Sequence, residues 1–410
     1  MRILLINKYN YLKGGAERYL FDLKQLLERN GHTVAVFAMR HARNPPSQFD
    51  HYFVPNVDFR NLSLMGRLKA ALRVIWYPQA AQHLARLLDD FQPEVVHLSN
   101  IYHQLSPSIL KPIRQHDIPI IHTLHDYKLV CPNYLLYTKG QPCMRCCNRQ
   151  YFQAVRHRCL HNALSWSFLA AIEMTLHKHW QIYERSITNF VAPSRFLKDT
   201  VQTFGIPSEQ VHHVPNFIFP ERFSLSQEDG GYFVYLGRLS QEKGLPTLIE
   251  AMRQLPQARL LIIGEGLMRS RLTQMIVDRG LSNISLTGYL CGQALKETLA
   301  QARFTVVPSE YYEVFPYSVL ESLALGKAVV GARIGGIPEQ IEDTVDGLLF
   351  PPGDEDALAN CLQRLWEKPK QTRQMGLNGR QKVLAHFTPE RYYRQIMPLY
   401  RKNYFEKVSN

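Results

Sequence analysis

Pro308-Ser-Glu-Tyr-Tyr-Glu313-Val-Phe315-Pro316-Tyr317-Ser318-Val-Leu-Glu321-Ser-Leu-Ala-Leu-Gly326-Lys-Ala-Val-Val-Gly-Ala-Arg-Ile-Gly335-Gly336-Ile-Pro338-Glu339 joins the apolar run Phe304 to Val307 to a helix, and that helix to a second apolar run at Val329-Val330. Short apolar strands alternating with helices are how a parallel sheet covered on both faces reads. Two glutamates with seven residues between them straddle the strand-to-helix junction. Glu313 falls in the loop, where it can face a ligand, and Glu321 falls about one turn into the helix, where a carboxylate can accept from a ribose diol. The N–H groups of Tyr317 and Ser318 stand at the helix N-terminus, aimed where a phosphate would bind. The apolar neighbours Phe315, Val319, Leu320 and Leu323 argue against a merely solvated face for either glutamate.

The same alternation runs outward in both directions. Tyr232 to Leu236, Leu260 to Ile263, Ile284 to Leu286 and Gly347 to Phe350 are further strands of this half. The first of them feeds Gly237-Arg238-Leu-Ser-Gln-Glu-Lys243-Gly244 and a helix through Leu255. Arg238 and Lys243, five residues apart at the C-terminal end of a parallel strand, can converge on a diphosphate; a solvated basic loop is the plainer alternative. The first half repeats the scheme with Ile3 to Ile6, Gly14-Gly15, a helix from Ala16 to Arg29 and Thr33 to Phe37. Val95 to Leu98 and Ile118 to Leu124 follow, the latter ending in His125-Asp126. Gly14-Gly15 can bring backbone N–H groups to a phosphate or simply make the turn. It is not G-x-G-x-x-G, and no acid ends the second strand, so nicotinamide binding is disfavoured.

The fold class expected is therefore α/β, with two Rossmann-like domains facing a cleft, 1–215 and 216–388, and Pro207 to Phe223 as the crossover. A helix over 389–410, carrying Tyr392, Tyr393, Met397 and Tyr400, lies beyond the last strand and is expected to return to the N-terminal domain.

Composition agrees with a globular chain. Of 410 residues, 45% are hydrophobic and 20% charged, and mean hydropathy is −0.23. No stretch approaches the ~18 apolar residues of a membrane span, and the short apolar start before Lys8 is no secretory signal, so a cytoplasmic chain is expected. Forty-eight Lys and Arg against 35 Asp and Glu give +13, which implies an anionic partner. The basic residues are scattered, so a nucleic-acid tail is not expected, and such a role would leave Glu313 and Glu321 without a task.

Taken together, Glu313-x7-Glu321, the Gly-Lys-Ala-Val-Val-Gly and Gly-Gly-Ile-Pro-Glu run, Gly14-Gly15, His125-Asp126, Gly237-Arg238 with Lys243, and Asp346-Gly347-Leu-Leu-Phe resemble the family-4 retaining glycosyltransferases of GT-B fold. The resemblance implies an N-terminal acceptor domain and a C-terminal nucleotide-sugar donor domain. It implies that Arg238 and Lys243 hold the donor diphosphate, helped by backbone at Gly15, Tyr317 and Ser318, with Gly14 and Phe315 also among the donor-binding residues. Glu313 would contact hydroxyls of the donor sugar, Glu321 the nucleotide ribose, and His125 the donor sugar from the first domain. Pro316 departs from the glycine many members carry and removes one backbone N–H. The implied reaction is retaining hexosyl transfer from a UDP- or GDP-sugar to a polysaccharide or lipid-linked acceptor, without a catalytic cofactor. A small-molecule acceptor is the same-fold alternative.

Three further segments carry expectations. Asp354-Glu355-Asp356 matches the D-x-D of metal-dependent transferases but opens a helix after Pro-Pro-Gly, where acids serve as caps. Leu64 to Tyr77 is an amphipathic helix candidate, with Leu64, Leu68, Ala71, Leu72 and Ile75 on one face and Arg67, Lys69 and Arg73 on the other, able to lie on an anionic membrane. Five of seven cysteines fall between Cys131 and Cys159. Cys143-x2-Cys146 has knuckle spacing, and Cys131 and Cys159 flank it with eleven and twelve residues in between. That set would hold a structural zinc, against the alternative of packed thiols.

Overall fold

The computed structural model describes residues 1–56 and 71–408, with side chains as far as 401. The chain forms two compact units. The first comprises Met1–Leu135, Met144–Asn216 and the C-terminal segment from Tyr392; the second comprises Leu136–Cys143 and Phe217–Arg391.

In the first unit six parallel strands form one sheet: β1 (Arg2–Ile6), β2 (Thr33–Phe37), β3 (Val95–Leu98), β4 (Ile120–Thr123), β7 (Asn189–Ala192) and β8 (Val211–His213). Their order is β2-β1-β3-β4-β7-β8. The register pairs Ile3 with Val34 on one side and Val95 on the other. β3, β4 and β7 are buried along their whole length, as continuous apolar runs require when helices cover both faces. The helix Gly15–Arg29 turns Leu20, Leu23, Leu26 and Leu27 inward, following its i, i+3, i+4, i+7 pattern.

The C-terminal helix Pro389–Val408 belongs to this unit from Tyr392 on and is fixed there by a buried hydroxyl network. Tyr19 OH meets Tyr392 OH, and His97 Nδ1 lies 2.6 Å from Tyr400 OH. Thr123 Oγ1 joins both halves, 2.9 Å from Tyr19 OH and 2.8 Å from His97 Nε2. Burying that many polar groups is tolerable only because each has partners.

The second unit carries β9 (Phe233–Leu236), β10 (Leu260–Ile263), β11 (Ile284–Gly288), β12 (Phe304–Val307), β13 (Ala328–Ala332) and β14 (Gly347–Phe350), ordered β11-β10-β9-β12-β13-β14 and all parallel. Strand order reverses between β9 and β12, and the carboxyl ends flanking such a switch point are where open α/β sheets bind ligands. A hairpin of β5 (Tyr137–Thr138) and β6 (Gln141–Pro142) also groups with this unit. Its two-residue turn, Lys139-Gly140, has positive φ at both positions, as type I′ turns demand.

Candidate functional site

Two loops meet at the β9/β12 switch point. The first leaves β9 through Arg238 and Lys243; the second leaves β12 through Ser309, Tyr311 and Glu313. Glu310 N donates to the Glu242 carbonyl at 2.9 Å and ties them together. The closeness of the loops needs glycine at Gly244, where φ is +67° and a Cβ would fall 1.8 Å from the Pro308 carbonyl oxygen.

The Glu313 carboxylate is the hub. It is 6% exposed, and three donors reach it: Lys243 Nζ at 2.7 Å and Ser309 Oγ at 2.6 Å on Oε1, and Tyr311 OH at 2.7 Å on Oε2. Burial pushes its pKa up, but the Lys243 charge and these hydrogen bonds together hold it below the usual carboxylate range. Burial, reinforced by the Glu313 charge, pushes the Tyr311 hydroxyl well above its ordinary value, so it stays a donor. Tyr311 also lies 3.2 Å from Lys243 Nζ, and its ring sits 4.8 Å from the ammonium. These contacts make Glu313 the residue that holds Lys243 in place. Beyond it, Gly336 N donates to the Glu313 carbonyl at 2.7 Å.

Arg238 is the exposed member, with 62% of its side chain open and Nη2 3.2 Å from Glu242 Oε1. Ser240 Oγ donates to the same oxygen at 2.6 Å, so the buried Glu242 anchors the base of the loop. Two cations, one open and one clamped, therefore leave the same strand end.

The helix Tyr317–Ala324 begins after Pro316, whose backbone is extended and whose side chain cannot cap. Tyr317 and Ser318 occupy its first turn, and Glu321 lies one turn on, half-buried. The Phe315 side chain turns into the core against Phe387, ring centroids 5.7 Å apart, so a donor could meet only its backbone. Gln340 Nε2 donates to the Pro316 carbonyl at 3.1 Å.

In the first unit, Gly14 and Gly15 are exposed at the start of the helix Gly15–Arg29. Beside them lies the buried Glu17, which accepts from Asn7 Nδ2 at 3.2 Å. His125 follows β4 with its ring edge-on to Tyr19 at 4.7 Å. Burial, with a smaller effect from His122, holds its pKa down at about 3. Its buried Nε2 has no hydrogen-bond partner among the described residues.

Asp354 Oδ1 accepts from Ala357 N at 2.9 Å and caps the helix Glu355–Glu367. Cys131, Cys146 and Cys159 belong to the first unit and Cys143 to the second. Cys146 and Cys159 share a small apolar cluster with Tyr151, Ala154, Ala171 and Met174. Among the described residues no group of three or more His, Cys, Asp or Glu side chains is set to hold a metal ion. Of the amphipathic candidate, Leu64, Arg67, Leu68 and Lys69 lie outside the described residues; Leu72 is exposed, and the Arg73 guanidinium stacks 5.0 Å from the Tyr77 ring.

Two six-stranded parallel sheets, with cations and carboxylates gathered at the switch point of the second, define a glycosyltransferase of GT-B architecture. Residues 13–222 match Glycosyltransferase Family 4, and residues 219–382 match Glycosyl transferases group 1. The chain belongs to Glycosyltransferase Family 4.

Among relatives, the amylovoran biosynthesis glycosyltransferase AmsK of Erwinia amylovora is 32% identical over 217 residues, 50% of this chain and 53% of AmsK. The chain thus aligns with about half the length of AmsK. Sucrose-phosphate synthase from Thermosynechococcus elongatus shares the fold with a TM-score of 0.73 at 22% identity, covering 98% of both chains. Anabaena HepE, solved with UDP-glucose, superposes with a TM-score of 0.67 at 18% identity, covering 98% of this chain and all of that one.

Proposed function

We propose that this chain moves a sugar from a nucleoside-diphosphate donor, of the UDP- or GDP-sugar class, to a glycan or lipid-linked acceptor in polysaccharide biosynthesis, with retention of configuration. The observation that carries the reading is Lys243 clamped by Glu313 beside the open Arg238, at the carboxyl ends of β9 and β12. The relatives add weight: AmsK is named as a glycosyltransferase of amylovoran biosynthesis, and HepE was solved with UDP-glucose.

In the proposed reaction the bond between anomeric carbon and phosphate oxygen breaks, and its electron pair stays on the phosphate. The clamped Lys243 ammonium, with the open Arg238 beside it, stabilises that growing charge. The acceptor oxygen attacks from the same face, and its proton passes to the departing phosphate. No carboxylate pair at the ~5 Å spacing of retaining hydrolases is needed. Glu321 binds the ribose diol in this scheme, Tyr317 and Ser318 offer backbone N–H groups to the phosphate, and His125 meets the donor sugar as a neutral imidazole. The transfer is proposed to need no metal, to be read as unchanged turnover after chelation, and to take place at the inner face of the membrane. The zinc site of Cys131, Cys143, Cys146 and Cys159 stays a proposal resting on spacing alone. Less than one zinc per freshly purified chain overturns it.

The test is thermal shift against UDP-, GDP- and ADP-sugars. A ligand at 100 times its Kd stabilises by about 2.7 kcal/mol. Stabilisation by one base class, lost in Arg238→Ala, is expected; no shift with any nucleotide sugar overturns the reading.

A further inference from the structure

The surplus of positive charge is not spread over the chain. The first unit holds twenty-eight Lys and Arg against fifteen Asp and Glu, the whole of the +13, while the second holds twenty of each. Charge confined to one of two similar sheets points to an anionic ligand of that sheet. In the proposed reaction the donor phosphates fall to Arg238 and Lys243 of the second unit, so they do not account for the surplus.

Part of it is gathered at one place. In the first sheet β1 lies between β2 and β3, so its carboxyl end flanks a reversal of strand order, where such sheets bind ligands. The loop after β1 is fastened there on both sides. Lys8 N donates to the Asn100 carbonyl, beyond β3, at 2.8 Å, and Met39 N, beyond β2, donates to the Lys8 carbonyl at 3.2 Å. Three rings from these loops form a ladder. Tyr9 and Tyr11 have centroids 5.4 Å apart, and His41 stacks on Tyr11 at 4.2 Å. Cations line the ladder. Lys13 Nζ lies 4.0 Å from the Tyr9 centroid and Lys8 Nζ 5.7 Å from it, while Arg43 Cζ lies 4.1 Å from the Tyr11 centroid.

Ring faces hold these cations in position without neutralising them. Lys13 and Arg43 are exposed and Lys8 is half-buried, and none of the three forms an ion pair among the described residues. The sequence supplies no acid from Met1 to Ala16 or from Thr33 to Phe49. Two acids feel the Lys8 charge, Glu17 and Asp126, and burial raises the pKa of both. The Glu17 carboxylate is already engaged by Asn7. Three like charges are thus fixed beside one another with no counter-charge at contact, an arrangement that an arriving anion would relieve.

We propose that Lys8, Lys13 and Arg43 bind an anionic group, carboxylate or phosphate, borne by the acceptor glycan, so that the acceptor is an acidic sugar chain and not a neutral one. The planar guanidinium of Arg43 can give such a group two parallel N–H bonds, and the lysines add compact point charges. The proposal rests on the transferase reading above for the acceptor's role, but the binding itself is read without turnover.

The experiment is calorimetric titration of the full chain with trigalacturonate and with its methyl ester, and with glucose 6-phosphate and glucose. The first pair reads a carboxylate and the second a phosphate, and a preference for either charged member supports the proposal. That member is expected to bind at least about tenfold tighter than its neutral counterpart, less so as salt rises. Lys13→Ala combined with Arg43→Ala should abolish most of the preference, with the melting temperature and the nucleotide-sugar shift kept. If the double variant fails to fold, each single substitution carries the same test. Lys368→Ala with Lys370→Ala removes the same charge from exposed positions of the second unit and should change nothing. An equal loss there means diffuse attraction and overturns the proposal. So does equal binding of charged and neutral sugars, or a Lys13/Arg43 variant that loses the nucleotide-sugar shift and keeps acidic-sugar binding. Arg238→Ala separates this site from the donor site, since it should lose the nucleotide-sugar shift and keep acidic-sugar binding.

Discussion

The ammonium of Lys243 sits 2.7 Å from Glu313 Oε1 across seventy residues of chain. The contact exists because β9 and β12, far apart in sequence, are neighbours at the point where strand order reverses. The Lys243 charge and three hydrogen bonds hold the Glu313 pKa below the usual carboxylate range, so at neutral pH the lysine has an ionised partner. A long, flexible side chain is thereby held in one place before any ligand arrives, which is what preorganised charge stabilisation requires.

Removing either cation should separate catalysis from folding. Lys243→Ala is expected to lower kcat by about 10²-fold or more, and to cost stability, because it leaves a buried carboxylate without its counter-charge. Arg238→Ala is expected to lower kcat comparably while leaving the melting temperature unchanged, since that side chain is largely in water. Paired kinetics and thermal melts check this. Near-normal turnover in both variants removes the diphosphate assignment.

Tyr311→Phe removes the hydrogen bond to Glu313 Oε2 and the weaker 3.2 Å one that the hydroxyl accepts from Lys243 Nζ. A hydrogen bond to a charged group contributes about 1.5–3 kcal/mol. We expect kcat/KM to fall by roughly tenfold to a hundredfold at that cost, with the larger share of the loss in kcat, because Lys243 loses its fixed aim. A change confined to donor KM would instead make Tyr311 a binding residue.

Much of this fold is visible as apolar runs. Thr33–Phe37, Val95–Leu98, Leu260–Ile263, Phe304–Val307 and Gly347–Phe350 read from the sequence with the ends the structure shows. β7 and β8 do not. Asn189-Phe-Val-Ala is four residues opening on a polar one, and Val211-His-His is three with two histidines, too short and too mixed for either period to register. The helix Leu164–His179 escapes for another reason, since its buried side carries Glu173, His177 and Lys178, which blurs the amphipathic signal. At the site, the residue types at Arg238, Lys243, Glu313 and Glu321 are legible. The clamp of Lys243 by Glu313 and Tyr311 is not, because it depends on which strands are adjacent and on an irregular loop without periodicity.

Gly335→Ala should be among the most damaging single changes near the site. Gly335 has φ +57°, and an added Cβ would lie 2.4 Å from the Glu313 carbonyl oxygen. The left-handed backbone alone costs about 1–2 kcal/mol for a residue with a Cβ, and backbone cannot move aside cheaply. Lower melting temperature together with lower turnover is the expected result. A variant as stable and active as the parent would show that the Glu313 loop tolerates displacement.

Acid should unfold the first unit through its buried histidines. His97 and His122 are each 1% exposed, and both have pKa values near 3. Burial is the main cause for each. For His97 the neighbouring His125 and His122 add to it, while for His122 a hydrogen bond to the Ser99 carbonyl only partly opposes it. In the unfolded chain both titrate near 6.5. Between about pH 6.5 and pH 3 the unfolded state therefore binds more protons, and stability falls as pH falls. Their stabilising contribution is complete above about pH 6.5 and is lost progressively toward pH 3, at up to about 1.4 kcal/mol per pH unit for each ring. Urea unfolding across this range should show that slope, and His122→Gln should remove one proton's worth of it even though the variant is less stable overall. His97 holds Tyr400 and Thr123, so its protonation also breaks the network that seats the C-terminal helix. Loss of the helix signal together with the sheet signal is expected. A slope unchanged in His122→Gln would mean that the acid sensitivity lies elsewhere.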